Sequence, residues 1–592
     1  MKNLNILILI CLTFALSCST FKEETQVDIN GILDQYTRDN YELNPLSATA
    51  NGINDYNDQL AIDIGDEHIK KSIALNNKYL DTLKTLSYNS LSESDKLSFD
   101  LLKYELEMDN EYLQNKYLWI SRPVNQFVPS FPQKFAVIAS GTSFVPFKNE
   151  LDYRNFIERM KAYARWTDQA IENMQRGLEL KNTNPKAAMV KVPAQLRPLY
   201  EKEAEDNILY RPMRNFPEEM DSITIKQLTT DYSQALETYL IPAYKKMNEF
   251  LEKSYIPNAR ETTGLVDNAG GEQEYSYLLR KYTTTDISAD SIFKLGLSEV
   301  ARIRKEMDSL RLVVGFKGDL IAFFNYIRTN EQFFPFKNVE EVLERYRSFE
   351  DKMEPQLQAM FNLRPKAEFE VRATEKFREA GSNAQYMKPA RDGSRPGIFY
   401  ETVRDPLKYN AFEMEALFIH EAIPGHHYQR ALQLEADIPE FCKTYFAGAY
   451  SEGWALYAES LGVELGMYKD PYQYMGRLNN EMERAVRLVV DAGMHAKGWT
   501  REKAIDYVLE NQPVTPLVAE QRIERYMIWP GQATSYKIGE SKILQLREKA
   551  KKELGEQFDI REFHDEILKD GALPLTLLES KIDRWIERKS LQ

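Results

Sequence analysis

Apolar residues recur at three-, four- and five-residue steps along most of the chain, a spacing that predicts amphipathic helices rather than strands. After Asp290 the stripe is Ile292, Leu295, Val300, Ile303, Met307 and Leu310, and similar stripes run from Leu101 to Leu113 and from Phe156 to Leu178. One region breaks the pattern. Ala367 to Ala373 alternates in strand fashion, and Ala384 to Met387 and Ile398 to Val403 flank the turn-rich run Asp392-Gly393-Ser394-Arg395-Pro396-Gly397. The expected fold is therefore mainly α with a small antiparallel β-sheet. Gly264, Gly270 and Gly271 make Asn258 to Gly271 the best internal boundary, between a helical N-terminal lobe at 31–270 and a C-terminal lobe at 271–592.

Composition narrows the class. At 592 residues with 43% hydrophobic and 28% charged positions, the chain can build large cores and is neither disordered nor fibrous. Its net charge of -14 repels phosphate backbones, so nucleic-acid binding is disfavoured. Oligomeric state leaves no mark on the sequence.

Lys2 precedes an apolar run from Ile6 to Leu16 that ends at Ser17-Cys18. That run is shorter than the roughly 20 residues a membrane-spanning helix needs, and it reads as a secretory signal peptide over 1–17. Small residues before Cys18 predict cleavage there and lipidation of the cysteine, although Ala15 stands where leucine is usual. Residues 18–30 then serve as the lipidated cysteine and tether. The expected location is an outer-membrane or cell-surface lipoprotein, its body in the periplasm or outside the cell. Cys442 is left as the lone interior thiol, so no internal disulfide is expected.

Four of the six histidines, His420, His426, His427 and His495, fall within 76 residues. The densest piece is Phe418-Ile-His-Glu-Ala-Ile-Pro-Gly-His-His427, led in by apolar Met414, Leu417 and Phe418, so His420 and Glu421 are expected near the end of a buried helix. A zinc peptidase needs two neutral imidazoles on one ion and a carboxylate beside them to take a proton from water. The usual second histidine lies four residues after the first, but Pro424 occupies that position. On an unbroken helix His426 would lie about 240° round from His420, and His427 about 10.5 Å along the axis. Proline cannot continue the helix and glycine permits an unusual turn, so Pro424-Gly425 acts as a two-residue bulge. His426 is then favoured as the second ligand, with His427 as the alternative. From spacing alone, a surface pair after a helix break explains the two histidines as well.

The octapeptide His420 to His427 is followed by Tyr450-Ser-Glu-Gly-Trp-Ala-Leu-Tyr-Ala-Glu459, Asp491-Ala-Gly-Met-His495-Ala-Lys-Gly-Trp-Thr500 and Pro530-Gly-Gln-Ala-Thr-Ser-Tyr-Lys-Ile-Gly539. Together these four motifs resemble the bacterial domain-of-unknown-function family 885, over nearly all the mature chain. That family looks like a branch of the gluzincin metallopeptidases, which include angiotensin-converting enzyme and the thermostable carboxypeptidases. The resemblance implies a two-lobed helical body around a deep groove, with one zinc ion per chain at its floor and the small sheet beside the zinc-site helix.

The resemblance also implies roles. Gluzincins take a third zinc ligand from a glutamate on the next long helix, here Glu452 in a helix expected over Ser451 to Leu465, with Glu459 as the alternative or as a supporting group. Glu421 is the general base. Tyr536 and His495 are candidates to donate to the oxyanion, with Asp491 fixing the tautomer of His495. Residues Ile398 to Val403 are expected to form an edge that pairs with an extended peptide. Arg395, Arg525 and Lys537 are cationic candidates for a terminal carboxylate.

The reading is an extracytoplasmic zinc-dependent peptidase acting on short peptides, with exo- or endopeptidase action unresolved. The rival is a lipid-tethered peptide- or glycan-binding protein whose metal site is structural or vestigial. Glu421 separates them, because binding alone needs no carboxylate next to the first ligand.

Overall fold

The computed structural model describes residues 28–591 apart from 116–118, 128–129, 377–378, 380–382 and 392. The signal peptide, Cys18 and the tether as far as residue 27 lie outside the described residues, as does Asp392. The chain is mainly helical with one small sheet, and among the described residues no helix is long and apolar enough to cross a membrane.

Helices α1 (Ile29–Leu43), α2 (Asp66–Leu83) and α3 (Glu93–Gln114) open the described chain. The 30-residue α4 (Glu150–Glu179) follows, started by Asn149, whose side chain accepts from the Asp152 amide. Its buried face carries Phe156, Tyr163 and Trp166 into a core that runs from Leu60 to Ala259. The stripe read after Asp290 becomes α6 (Ala289–Val313), preceded by α5 (Gly271–Thr283). Ile292, Val300, Ile303 and Met307 are buried as expected, whereas Leu295 and Leu310 are only half-buried.

Asn258 to Gly271 is packed rather than loose. A Cβ on Gly264 would lie 1.8 Å from the Met494 carbonyl oxygen, and one on Gly271 would lie 1.6 Å from that of Leu265. These glycines are present for close backbone approach, not for a flexible joint. Leu97 of α3 is buried in the large core built mainly from residues 265–586, and Phe441 meets Tyr36 of α1 edge to face. The first helices therefore adhere to both halves of the chain.

The sheet has order β1–β3–β2, from β1 (Phe369–Ala373), β2 (Gln385–Met387) and β3 (Gly397–Glu401). It is mixed, not antiparallel: β1 and β3 run parallel with Phe369 opposite Gly397, and β2 runs antiparallel to β3 with Met387 opposite Ile398. The 23 residues between β1 and β3 give the long crossover that parallel pairing requires. The expected edge near Ile398 is also overturned, since β3 is the central strand and all five of its residues are buried. The sheet backs onto the helix that carries His420: Phe369 lies 6.1 Å from Phe418, and Tyr346 of α7 (Val339–Met360) packs between Phe399 and Phe418.

Beyond the sheet come α8 (Met414–Glu421), α9 (His426–Glu435), α10 (Gly448–Ser460) and α11 (Pro471–Lys497). The chain ends with α12 (Pro516–Ile528), α13 (Ser535–Leu554), α14 (Ile560–Leu568) and α15 (Leu575–Ser590). Two glycine contacts set the packing here. Gly296 of α6 meets Leu488 and Val489 of α11, where an added Cβ would come within 2.8 Å of both side chains. Gly453 of α10 meets Gly539 of α13 so closely that an added Cβ would lie 2.5 Å from backbone atoms.

Candidate metal centre

Helix α8 ends at Glu421, and Ala422 to Gly425 reverse the chain through a cis Ile423-Pro424 bond before α9 begins at His426. Gly425 is pressed against the carbonyls that α8 leaves open: a Cβ there would be 2.0 Å from the His420 oxygen and 2.2 Å from that of Ile419. Only glycine fits, and this is the physical content of the two-residue bulge. The reversal is also held from outside. Trp454 of α10 donates its indole N–H to the Pro424 carbonyl at 2.9 Å, and Ser451 donates to Gln429 Oε1 of α9 at 2.8 Å.

The result brings three side chains together. His420 Nε2 lies 3.5 Å and His426 Nε2 3.6 Å from the same oxygen, Glu452 Oε2. One donor atom from each of the three residues lies within 4.8 Å of the others. The imidazole rings stand 4.9 Å apart at 84°, so they meet edge to face rather than stacked. Two donors about 2.1 Å from one ion at tetrahedral angles lie about 3.4 Å apart, close to both histidine–glutamate separations.

Glu452 belongs to the second turn of α10, since that helix starts at Gly448 and not at Ser451 as expected. Glu459, the alternative ligand, takes a supporting place instead, with Oε1 2.8 Å from His420 Nδ1. A carboxylate can only accept, so Nδ1 carries the proton and Nε2 is the nitrogen turned toward Glu452. Burial opposes a charge on His420, but Glu452 and Glu459 outweigh it and hold its pKa up at about 9. Burial likewise opposes the Glu452 carboxylate, yet the two histidines keep its pKa far below the carboxylate range.

His427 points elsewhere. Its Nδ1 lies 3.0 Å from the Tyr386 hydroxyl and its ring 5.0 Å from Phe369, and burial pulls its pKa down to about 4. A side chain on Gly397 would collide with both members of the Tyr386–His427 pair, so β3 carries glycine there. The choice between the two histidines falls to His426 by position.

Glu421 is half-buried beside His420, and among the described residues it has no hydrogen-bond or ion-pair partner. Glu401 at the end of β3 is buried, its Oε2 has no partner, and burial, opposed by the Thr402 amide and reinforced by Glu421, raises its pKa to about 7. Sequence reasoning missed Glu401 because a glutamate ending a strand carries no mark of its surroundings.

His495 is corrected to a structural residue. It is fully buried, its Nδ1 accepts from the Leu265 amide at 3.1 Å, and its Nε2 donates to the Tyr526 carbonyl at 2.9 Å. Both nitrogens are committed to backbone, and burial drives its pKa down to about 3. Asp491 does not pair with it. That carboxylate accepts from the Tyr275 hydroxyl at 2.6 Å and the Gly531 amide at 3.0 Å, and burial raises its pKa to about 7.

Tyr536 is half-buried in the first turn of α13, with the Arg487 guanidinium 4.3 Å above its ring. Of the proposed carboxylate anchors, Lys537 is consumed: it is buried within reach of Glu481 and Glu540 at 2.7 Å and Glu299 at 3.1 Å. Arg525 donates to Gln532 at 2.9 Å, and Arg395 to the Pro396 carbonyl at 3.3 Å.

A family model described as "Bacterial protein of unknown function (DUF885)" matches residues 45–582. The structure resembles that of a candidate lipoprotein from Colwellia psychrerythraea, with a TM-score of 0.83 and 27% identity over 95% of this chain and 99% of that one. It also resembles a candidate lipoprotein of unknown function from Shewanella oneidensis, with a TM-score of 0.73 and 18% identity over 93% of this chain and 99% of the other. No curated protein matches in sequence.

Proposed function

The chain belongs to this bacterial family, and from that premise we propose that it is an exported, lipid-anchored, gluzincin-like zinc peptidase acting on short peptides. The observation that carries the reading is the convergence of His420 Nε2, His426 Nε2 and Glu452 Oε2, with Glu421 next to the first of them. Two imidazoles and one carboxylate are a donor set of catalytic zinc sites, which keep a further position open. The Glu459 carboxylate behind His420 is the kind of support that fixes a ligating imidazole. The residues present therefore fit a zinc ion, held by His420, His426 and Glu452.

When bound, zinc supplies charge to polarise a peptide carbonyl and to acidify water. Glu421, with no competing partner, accepts a proton from water on its carboxylate and returns it to the leaving amine. Tyr536 is the remaining side-chain candidate to donate to the developing oxyanion, since His495 has both nitrogens occupied. Export and lipidation rest on the signal-peptide pattern ending at Cys18 and on the two structural relatives, both described as candidate lipoproteins.

The test joins metal analysis to turnover. Purified protein should hold about one zinc per chain, lost in His420→Ala. Glu421→Gln should keep the metal while peptide hydrolysis falls about 100- to 10,000-fold. Unchanged turnover in a metal-loaded Glu421→Gln protein would sink the mechanism. Zinc binding without hydrolysis of any short peptide would favour a binding protein.

A further inference from the structure

In a chain of net charge -14, helices α11 and α12 gather Arg484, Arg487 and Arg522 around one carboxylate, Glu483. Arg487 pairs with Glu483, and Arg522 reaches the other Glu483 oxygen at 2.8 Å. Arg484 donates to the Asn480 carbonyl at 3.1 Å. Glu413, the next carboxylate, accepts from Asn479 and lies close enough for the charges of Arg484 and Arg522 to act on it, but among the described residues it forms an ion pair with none of the three. Three guanidinium groups thus face two carboxylates, of which only Glu483 is in ion-pair contact with any of them among the described residues.

Their hydrogen bonding is incomplete as well. The Nε atoms of Arg484 and Arg487 are buried without a partner, and Arg487 is only 9% exposed. Leaving a charged donor desolvated and unpaired is costly, so such a group calls for a partner, whether water, an ion or a ligand. A guanidinium offers a planar fork that matches a carboxylate in two parallel bonds.

The cluster is joined to the metal centre through Tyr536. Arg487 covers its ring, and Tyr536 lies one turn before Gly539, whose backbone touches Gly453, the neighbour of Glu452. Resting on the peptidase reading above, we propose that Arg484, Arg487 and Arg522 form a subsite for a substrate carboxylate. The enzyme then favours peptides that present a carboxylate near the scissile bond, from the chain terminus or from an acidic side chain.

The experiment uses full-length, metal-loaded protein and three peptides: N-acetyl-Ala-Ala-Ala-Phe as free acid, the same peptide as amide, and N-acetyl-Ala-Ala-Glu-Phe amide. Binding is measured calorimetrically to Glu421→Gln, and hydrolysis with the unsubstituted enzyme. The free acid, the glutamyl amide or both should bind about 10- to 100-fold more tightly than the neutral amide. Which of them does so identifies the source of the carboxylate. Arg484→Gln and, separately, Arg522→Gln should shrink that ratio toward one, and Arg484→Lys should recover part of it. Should Arg487→Gln fail to fold, these variants still decide. Equal binding of all three peptides overturns the subsite, as does a ratio that moves with Arg430→Gln, a change to the α9 arginine that covers the Phe446 ring, and not with the α11 and α12 variants. Selective binding without hydrolysis leaves the subsite standing and removes the peptidase reading.

Discussion

His420 and Glu459 are joined through Nδ1 and Oε1 at 2.8 Å, which leaves the opposite ring nitrogen turned to Glu452. Glu459 is buried, so the bond is shielded from water and sets the tautomer of the ring. Glu459→Gln should lower zinc affinity about 10- to 100-fold while the fold survives. Competition with a chelator of known affinity reads this directly, and an unchanged affinity would show that Glu459 has no hold on the ligand.

Gly425 should tolerate no side chain. With the terminal carbonyl oxygens of α8 only 2.0 and 2.2 Å from an added Cβ, Gly425→Ala must open the turn that returns His426. The expected loss is roughly 2–4 kcal/mol of stability together with most zinc binding. Chemical denaturation and metal analysis of the same sample check both, and retention of stoichiometric zinc would contradict the geometry.

His495 should behave as a core residue. His495→Ala removes partners from the Leu265 amide and the Tyr526 carbonyl, at a cost of roughly 1–3 kcal/mol for each buried group left unpaired. The melting temperature should fall, while zinc content and turnover per folded molecule stay near those of the parent. A catalytic defect at unchanged stability would return the histidine to the mechanism.

Asp491 supplies a pH signature. Its folded pKa of about 7 stands above the ordinary value of 3.8, so the folded state holds the proton more tightly than the unfolded chain. The penalty is absent below about pH 4, grows up to about pH 7 and is complete above that. Asp491→Asn should therefore melt increasingly close to, or above, the parent as pH rises from 5 to 8. A constant difference in melting temperature across that range would refute the shift.

The helical class and the site's core were legible because they depend on local pattern. The stripe from Ile292 to Met307 and the proline-glycine break after His420 each carry their geometry within a few residues. What escaped depends on distant partners. The parallel pairing of Phe369 with Gly397 cannot be read from alternation, which is the same for either strand direction. His495 resembled a catalytic group because its partners, Leu265 and Tyr526, lie 230 and 31 residues away in the chain. Arg484, Arg487 and Arg522 passed unnoticed among 76 basic residues because only the packed helices reveal how few acids face them.

The contact between Gly453 and Gly539 ties the helix of Glu452 to the helix of Tyr536. Glu452 and Tyr536 ride on helices whose main chains touch, so neither can swing without dragging the other. On the proposed peptidase reading, any breathing that admits a peptide or frees its fragments must leave this pair intact and take its hinge from elements elsewhere around the site.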